Sequence, residues 1–283
     1  MPLNFTRRGF LGTAITGAGM AGMAGATNLG TPGQETPDIK LGVASYSLRE
    51  FQRGLAIRII QQLNVSNVSI KEYHLPYRST PEELRQGAME FEKAGIKIVG
   101  GGVIYMTKDD DSDIRRYFDY AKQCGMPLLA IGPTAKTLPR IERFVKEYNI
   151  KVAIHNHGPE DEHFPSPEVA LKAIKEMDPR VGLCIDVGHT VRTGTNAVDS
   201  IRAAGSRLLD MHIKDLRNPK DMNSQVPVGE GALPIVDIFK QLKTMNYQGC
   251  VNLEYEIDAD NPLLGMAKSF SYMRGVLAGL RER

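Results

Sequence analysis

Short apolar runs alternate with amphipathic segments along most of this 283-residue chain, and from Ile39 onward the alternation repeats eight times. The apolar runs predict strands near residues 39–46, 67–73, 96–104, 127–132, 150–156, 181–186, 207–213 and 249–256. Apolar positions at helical spacing follow each run, with helix-start signals such as Thr80-Pro81-Glu82 and Ser166-Pro167-Glu168. The seventh helix is predicted from Leu233 to Met245 and the last over residues 262–281. Strands that alternate with helices form a parallel sheet, so eight such units predict an α/β fold, the closed (β/α)8 TIM barrel.

Ionisable side chains are concentrated where four of the predicted strands end. The four clusters read His155-Asn156-His157, Asp186-Val187-Gly188-His189, His212-Ile213-Lys214-Asp215 and Glu254-Tyr255-Glu256. In a closed parallel barrel all strand C-terminal ends meet at one face, so these imidazoles and carboxylates would converge. Such donors are typical of a divalent metal site. The sequence therefore predicts a metalloenzyme, with long loops over 157–167 and 216–232 forming the substrate pocket.

Strand geometry narrows the choice of ligands. Residues two apart in a strand face the same way, so His155 and His157 share a face, as do Glu254 and Glu256. Only one member of each pair needs to bind the metal. We assign that role to His155 and Glu254, and substrate contact to His157 and Glu256; strand direction alone also allows the reverse.

Asp186 is the third candidate ligand. It follows four apolar residues, where a carboxylate needs a metal ion or a cationic partner. The alternatives are that it caps helix six or pairs with Lys214. His189, three residues further on, is expected in the loop after the strand, better placed for substrate than for metal. His74 and His163, taken singly, are more simply interpreted as hydrogen-bonded structural histidines.

The first 26 residues read as an export signal. Thr6-Arg7-Arg8-Gly9-Phe10-Leu11 is a twin-arginine pattern, and a Gly/Ala-rich stretch after it ends in the cleavage pattern Ala24-Gly25-Ala26. Residues 27–38, rich in Gly, Pro and Thr, predict a flexible linker, and residues 39–283 a single catalytic barrel. We therefore expect a soluble periplasmic protein without a membrane anchor once the signal is removed.

Charge and cysteine content narrow the class further. The signal segment holds two of the 35 basic residues and none of the 33 acidic ones, so the remaining chain is formally neutral. A neutral surface argues against a nucleic-acid partner held by electrostatics. Cys124, Cys184 and Cys250 are odd in number and adjoin apolar segments, which predicts buried thiols and no disulfide framework.

The strand-end motifs together resemble the xylose isomerase-like TIM-barrel superfamily. They are Asp-x-x-His after strand six, His-x-Lys-Asp after strand seven and a glutamate closing strand eight. That superfamily includes sugar isomerases and epimerases, inosose dehydratase-type lyases and, more distantly, endonuclease IV. In its ketose 3-epimerases a Glu, an Asp, a His and a Glu hold one Mn²⁺ or similar ion. The resemblance implies that Asp186, His212 and Glu254 take three of those places, and that His189 and Arg217 contact substrate.

The fourth ligand place departs from the family. The strand-five glutamate is replaced here by His155, so one of the two acid/base carboxylates of the epimerases is missing. His157, Glu160 and Asp161 are open as replacements. Two imidazoles and two carboxylates favour Zn²⁺ or Mn²⁺, with Mg²⁺ or Co²⁺ as alternatives.

The resemblance implies chemistry on a carbohydrate that carries a carbonyl next to a hydroxyl. A bound ion would stabilise the enediolate formed when the neighbouring carbon loses its proton. Glu254 or Glu256 is the candidate base, Lys214 or Arg217 the candidate for holding oxyanion charge, and His189 completes the catalytic set. Isomerisation, epimerisation and β-elimination from a keto-sugar or keto-glycoside all start from this step.

Two readings from other classes are retained. One is a carbohydrate-binding barrel without catalysis. The other is an endonuclease IV-like phosphodiesterase, for which His74 and Glu72 near strand two would be additional ligands. A homodimer is also expected, since paired barrels are common in the superfamily.

Overall fold

The computed structural model describes residues 39–281; the predicted signal peptide and linker lie outside the described residues. The barrel strands are β1 (Lys40–Ala44), β2 (Asn67–Ile70), β3 (Lys97–Met106), β4 (Leu128–Pro133), β5 (Lys151–His155), β6 (Val181–Asp186), β7 (Leu208–Ile213) and β10 (Cys250–Leu253). Two short strands, β8 (Asp215–Leu216) and β9 (Gln225–Val226), form an antiparallel ribbon after β7. The eight barrel strands close in the order β1-β10-β7-β6-β5-β4-β3-β2. The predicted TIM barrel is therefore confirmed.

Helices follow the barrel strands as the apolar periodicity predicted. They are α1 (Arg53–Gln62), α2 (Pro81–Lys93), α3 (Asp111–Gln123), α4 (Leu138–Tyr148), α5 (Pro167–Ala173), α6 (Val187–Arg192), α7 (Ala197–Ala204), α8 (Ile235–Thr244) and α9 (Leu263–Arg281). At the start of α2, Glu83 N donates to the Thr80 hydroxyl at 3.3 Å and Thr80 N donates to the Glu83 carboxylate at 2.8 Å. This reciprocal pair satisfies two backbone groups that the first turn of a helix leaves open.

The sixth unit differs from the prediction because it holds two helices, α6 and α7. The short helix α6 begins directly after Asp186, so His189 lies in a helix and not in a loop. Asn196 then caps α7 by accepting from Val198 N at 2.9 Å.

Several strands end earlier than predicted because side chains take over from the sheet ladder. β1 stops at Ala44, and Ser45 Oγ then accepts from Lys71 N at 2.7 Å. β10 stops at Leu253, and Ser47 Oγ accepts from Tyr255 N at 2.8 Å. After β1 the chain turns into a short 3-10 helix over Ser45–Leu48, whereas after β10 the bond from Tyr255 N to Ser47 holds the backbone that carries Glu254 and Glu256 at the mouth of the barrel.

The main apolar core lies between the barrel and the surrounding helices. Fully buried phenylalanines line the inner faces of five helices, namely Phe91, Phe118, Phe144, Phe239 and Phe270. Each such side chain stabilises the fold by roughly 1.5–3 kcal/mol relative to exposure. The three cysteines are buried free thiols, as predicted. Among the described residues, no helix has both the length and the apolar character needed to cross a membrane.

Candidate active site

Four ionisable side chains meet at the carboxyl end of the barrel. His155 ends β5, Asp186 ends β6, His212 lies near the end of β7, and Glu254 directly follows β10. These four strands are consecutive neighbours in the barrel, and Asp186 pairs with His212 in register. All four residues are buried, and their donor atoms lie within 4.8 Å of one another. The structure thus brings together the four residues that the sequence analysis chose as metal ligands.

The donor atoms of this cluster face one another. His155 Nε2 lies 3.1 Å from His212 Nδ1 and 3.7 Å from Asp186 Oδ2, and His212 Nδ1 lies 3.2 Å from Glu254 Oε2. Asp186 Oδ2 is buried without a hydrogen-bond partner. An unsatisfied buried carboxylate oxygen is costly, and a coordinated cation would satisfy it. Two imidazoles and two carboxylates at these separations are a donor set that fits a divalent ion such as Zn²⁺ or Mn²⁺.

Lys214 lies beside the cluster and supplies a positive charge to it. Its Nζ is 3.0 Å from Glu254 Oε2 and 3.2 Å from Asp186 Oδ2, and it also donates to Glu256. With neutral imidazoles, three carboxylates against one ammonium leave two net negative charges in this region. One divalent cation would balance them, and this charge balance also supports the fit of the donor set to a metal ion.

Asp186 both caps a helix and pairs with Lys214, the two alternatives to metal binding that the sequence allowed. Its Oδ1 caps α6 by accepting from His189 N at 2.7 Å, and its Oδ2 faces Lys214 and His155. The cap uses one carboxylate oxygen, and the other forms no hydrogen bond. The cap therefore leaves Oδ2 facing the cluster, where a bound cation would compete with Lys214 Nζ at 3.2 Å.

Burial and neighbouring charges give the residues of the cluster different pKa shifts and so different protonation states. Burial lowers the pKa of His155 to about 3, so this imidazole is neutral near pH 7. Burial alone would also lower the pKa of His212, but Cys184 and Glu254 hold it well above the usual range. For Glu254 burial would raise the pKa, but His212 and Lys214 hold it well below the usual range. Without an ion, a charged His212 and a charged Glu254 stabilise each other.

Two buried amide side chains hold the backbone of the ligand residues. Asn156 accepts from Asp186 N at 3.1 Å and donates to Asp186 O at 3.3 Å. Gln225, on β9, donates to Glu254 O at 2.7 Å and accepts from Glu256 N at 2.9 Å. Each amide replaces a missing ladder partner just beyond the end of a strand. Outer groups of this kind orient metal ligands.

A cavity of about 860 Å³ opens at the cluster and is lined by His155 and Glu254. His157 and Glu256 line it as well, next to the ligand pairs. His157 Nε2 is hydrogen-bonded to the Tyr105 hydroxyl at 3.0 Å. The structure therefore places one member of each pair in the cluster and the other in the cavity wall.

His189 also lines the cavity and is held by an arginine. Arg192 Nη1 donates to His189 Nδ1 at 2.9 Å, and Arg192 is further paired with Glu160. A guanidinium can only donate, so Nδ1 is the acceptor and the neutral ring carries its proton on Nε2. Burial lowers the pKa of His189 to about 4, which keeps the ring neutral near pH 7. His189 can therefore donate a hydrogen bond to a bound molecule.

The remaining predicted residues lie in different surroundings. Arg217 is exposed and does not line the cavity, whereas Arg192, which the sequence analysis did not select, does. The spacing of three residues from Asp186 to His189 to Arg192 was a signal for it, because residues three apart share a helix face. His74 is structural: its ring nitrogens are hydrogen-bonded to Ser45 Oγ at 3.0 Å and Leu48 O at 3.1 Å.

A closed (β/α)8 barrel with histidines and carboxylates clustered at its strand ends defines the class of this protein. The chain belongs to the xylose isomerase-like TIM barrel family, which it matches over residues 71–276. The resemblance of the strand-end motifs is thereby confirmed at the level of the family.

Named relatives and solved structures agree with this assignment. The chain is 28% identical over 158 residues to inosose dehydratase of Clostridium tetani, covering 50% of this chain and 52% of that protein. It is 34% identical over 88 residues to D-psicose 3-epimerase of Enterocloster bolteae, covering 31% of this chain and 27% of that protein. The chain thus spans about half or less of the length of these relatives. The crystal structure of the IolI protein with a zinc atom matches with a TM-score of 0.71 at 17% identity, over 85% of this chain and 99% of that one, a likeness of fold.

Proposed function

We propose that this chain is a divalent-metal-dependent enzyme that removes the proton beside the carbonyl of a carbohydrate and passes through an enediolate. The observation that carries the proposal is the buried cluster of His155, Asp186, His212 and Glu254 at the end of a cavity. The chain is similar to an inosose dehydratase and to a D-psicose 3-epimerase. The names of these two enzymes support chemistry on a carbohydrate.

The four cluster residues would hold one ion, with Zn²⁺ or Mn²⁺ as the favoured identity. The zinc atom in the similar IolI structure supports this choice. When bound, the ion supplies a Lewis acid for the carbonyl and hydroxyl oxygens of the substrate.

The residues of the cavity wall divide the remaining work. Glu256 is the better placed base, because its carboxylate is more exposed than that of Glu254 and faces the cavity. His189, neutral and protonated at Nε2, donates a hydrogen bond to a substrate oxygen. The ammonium of Lys214 beside Glu256 favours the ionised carboxylate, which is the form that can accept the proton.

A second outcome, elimination, is supported by the similarity to inosose dehydratase. Glu254 and Glu256 both follow β10, while His155 and His157 of β5 and the loop after it lie on another side of the cavity. Epimerisation needs a second group to return the proton, for which His157 and, from the same loop, Glu160 and Asp161 are the candidates that line the cavity. Loss of a β-substituent from the enediolate needs no second carboxylate base.

Metal content tests the proposal first. We expect about one equivalent of ion in protein purified without chelator, and none in the Asp186→Ala/His212→Ala variant. The matched control is Asp237→Ala/His163→Ala, which removes an exposed carboxylate and an exposed histidine outside the cluster and should keep the ion. An ion retained by the first variant would refute the assigned ligand set.

The ion-loaded protein is then incubated with ketoses and keto-glycosides in D₂O, and the products are followed by NMR. Deuterium incorporated into recovered or isomerised sugar indicates reprotonation of the enediolate. Loss of a substituent together with an unsaturated product indicates elimination. Neither exchange nor product with any of these sugars would favour a carbohydrate-binding barrel.

We also propose export through the twin-arginine segment, which lies outside the described residues. Removal of residues 1–26 would leave a mature chain that begins at Thr27. The Arg7→Lys/Arg8→Lys variant should accumulate uncleaved in the cytoplasm of a producing bacterium, whereas the parent chain is recovered from the periplasm. Terminal sequencing checks both statements, and an N-terminus still at residue 1 in exported protein would contradict them.

A further inference from the structure

The cavity wall consists of two chemically different parts. The ion-binding side comes from the ends of β5, β6, β7 and β10. On the other side three tyrosines follow or end the first three strands: Tyr46 after β1, Tyr73 after β2 and Tyr105 within β3. Met222, in the loop after β7, lines the same cavity. Charged side chains, among them Lys71, Glu72 and Asp161, also line the cavity, so the apolar surface of the second part is that of the tyrosine rings and Met222. A ligand that fills both parts needs a polar, oxygen-rich end and an end with a largely apolar ring face.

Several side chains on the tyrosine side of the cavity are exposed and are not part of the packed core. Tyr73 and Tyr105 are 49% and 57% exposed, and Met222 is 55% exposed. Tyr77 and Tyr117 of the same cavity pack edge to face, with ring centroids 5.4 Å apart. The exposed side chains therefore present apolar surface to the cavity instead of filling the core. Exposed apolar side chains gathered in one cavity are typical of a binding site.

Tyr105 is fixed in place before any ligand arrives. Its hydroxyl is hydrogen-bonded to His157 Nε2 at 3.0 Å, and its ring stacks on the His157 ring with centroids 5.6 Å apart. Gly132 beneath it leaves room for the ring, because a Cβ there would come within 2.7 Å of Tyr105 Cδ1. A side chain held at both its ring and its hydroxyl loses little freedom when a ligand stacks on it.

We infer that the substrate is a keto-glycoside, a sugar that carries the carbonyl and is joined to a ring-shaped and largely apolar substituent, and that Tyr73, Tyr105 and Met222 bind the substituent. This inference rests on the proposed function, which places the sugar at the cluster of His155, Asp186, His212 and Glu254. The size of the cavity agrees with it. About 860 Å³ is near the upper end of the roughly 300–1,000 Å³ that holds drug-sized ligands. A free monosaccharide at the cluster would leave the tyrosine side uncovered.

Binding to the ion-loaded protein tests the inference without requiring turnover. Isothermal titration compares phenyl and methyl β-glucosides, unreactive analogues that lack the carbonyl, share the sugar and differ in the substituent. We expect the phenyl glucoside to bind about threefold to tenfold more tightly, the range that one aromatic contact supplies. Cellobiose, in which the substituent is a second sugar, shows whether the site prefers an aromatic ring or a sugar ring.

Two variants locate the effect. Tyr73→Ala and Met222→Ala should each weaken binding of the phenyl glucoside more than binding of the methyl glucoside, and so reduce the preference. The control Tyr272→Ala removes an exposed tyrosine outside the cavity and should keep the preference. Both test side chains are exposed, so the variants are expected to fold, and melting temperatures check this.

The outcomes separate this inference from the proposed function. Equal affinity for the phenyl glucoside, the methyl glucoside and cellobiose in the parent protein overturns the inference and leaves the proposed function standing. A preference that survives in both Tyr73→Ala and Met222→Ala overturns the assignment of these residues. If neither glucoside nor D-fructose binds while the ion does, the carbohydrate assignment fails together with the inference.

Discussion

Lys214 lies where the carboxylates of Asp186, Glu254 and Glu256 meet, and it is almost fully buried. A buried ammonium is stable there only because these carboxylates surround it, and they in turn depend on it. The same two oxygens that Lys214 contacts at 3.0 and 3.2 Å belong to the proposed metal ligands. The lysine therefore stabilises the ion-free site and opposes binding of the metal ion beside it.

Replacement of Lys214 by Met should separate these two effects. We expect the ion-free protein to lose about 3–5 kcal/mol, the usual cost of leaving buried charges without their partner. The affinity for Zn²⁺ or Mn²⁺ should rise, because a positive charge next to both ligand oxygens is gone. Thermal unfolding measures the first effect and isothermal titration the second.

Lys240→Met is the matched control, since Lys240 forms an exposed ion pair with Asp237. It should change neither quantity. Weaker ion binding in Lys214→Met than in this control would contradict the proposed opposition between the lysine and the ion.

Strand direction predicted which residues would be paired but not which member would join the cluster. His155 and His157 share a face in the sequence, and their ring centroids lie 4.4 Å apart in the structure, but only His155 joins the cluster because β5 ends there and the chain then turns into the loop. Such an endpoint depends on Asn156, whose amide bonds to the neighbouring strand and to Thr190. Contacts between distant residues of this kind leave no periodic signal in a sequence.

At the scale of elements, the ribbon of β8 and β9 connects the long loop after β7 to the site. Asp215 organises this loop by accepting from the backbone N–H groups of Leu216, Gly229, Gly231 and Leu233. Gly231 must be a glycine here, because a Cβ would come within 2.1 Å of Asp215 Oδ1. The sequence analysis predicted a long loop around the pocket. It could not predict that Gln225 bonds to the backbone just after β10, because a loop has no periodic pattern that indicates such a contact.

Gln225→Ala tests whether the ribbon supports the metal site. The substitution removes the bonds to Glu254 O and Glu256 N, so both carboxylates lose their fixed orientation. We expect the affinity for the ion to fall about tenfold to a hundredfold, as when other outer-layer partners of metal ligands are removed.

The control is Gln248→Ala, because Gln248 is exposed and its side chain donates only to Asn246. Titration of both variants with the same ion decides the matter. Equal affinities would show that β10 holds its carboxylates without help from the ribbon.

At the scale of the whole molecule, the barrel and its strand order could be predicted because the signal is repeated eight times. Local errors in single units, such as the two helices between β6 and β7, do not change how the sheet closes. The strand-end location of the site follows from the same repetition, since parallel strands carry their C-terminal residues to one face. The sequence did not predict the tyrosine side of the cavity, because the residue type alone does not tell whether a tyrosine is exposed or buried.

The charge state of the assembled site makes the stability of the protein depend on pH, and a bound ion should weaken this dependence. Without an ion, the raised pKa of His212 means that its ion pair with Glu254 contributes fully below the usual histidine pKa of about 6.5. This contribution is lost as the pH rises through the raised pKa of the folded state. The lowered pKa values of Asp186 and Glu254 act only in acid, where stability is lost as the pH falls below about 4.

An ion needs His212 in its neutral form, so its binding should release a proton and strengthen as the pH rises. We therefore expect the Tm of the ion-free protein to fall as the pH rises above about 6.5, while that of the ion-loaded protein changes less. The increase in Tm on adding Zn²⁺ should widen over this range, and titrations in buffers of different ionisation enthalpy should show the released proton. His163→Ala, which removes an exposed histidine, should behave like the parent, whereas His212→Asn should lose the widening. An ion-induced increase in Tm that stays constant with pH would show that His212 is not a ligand.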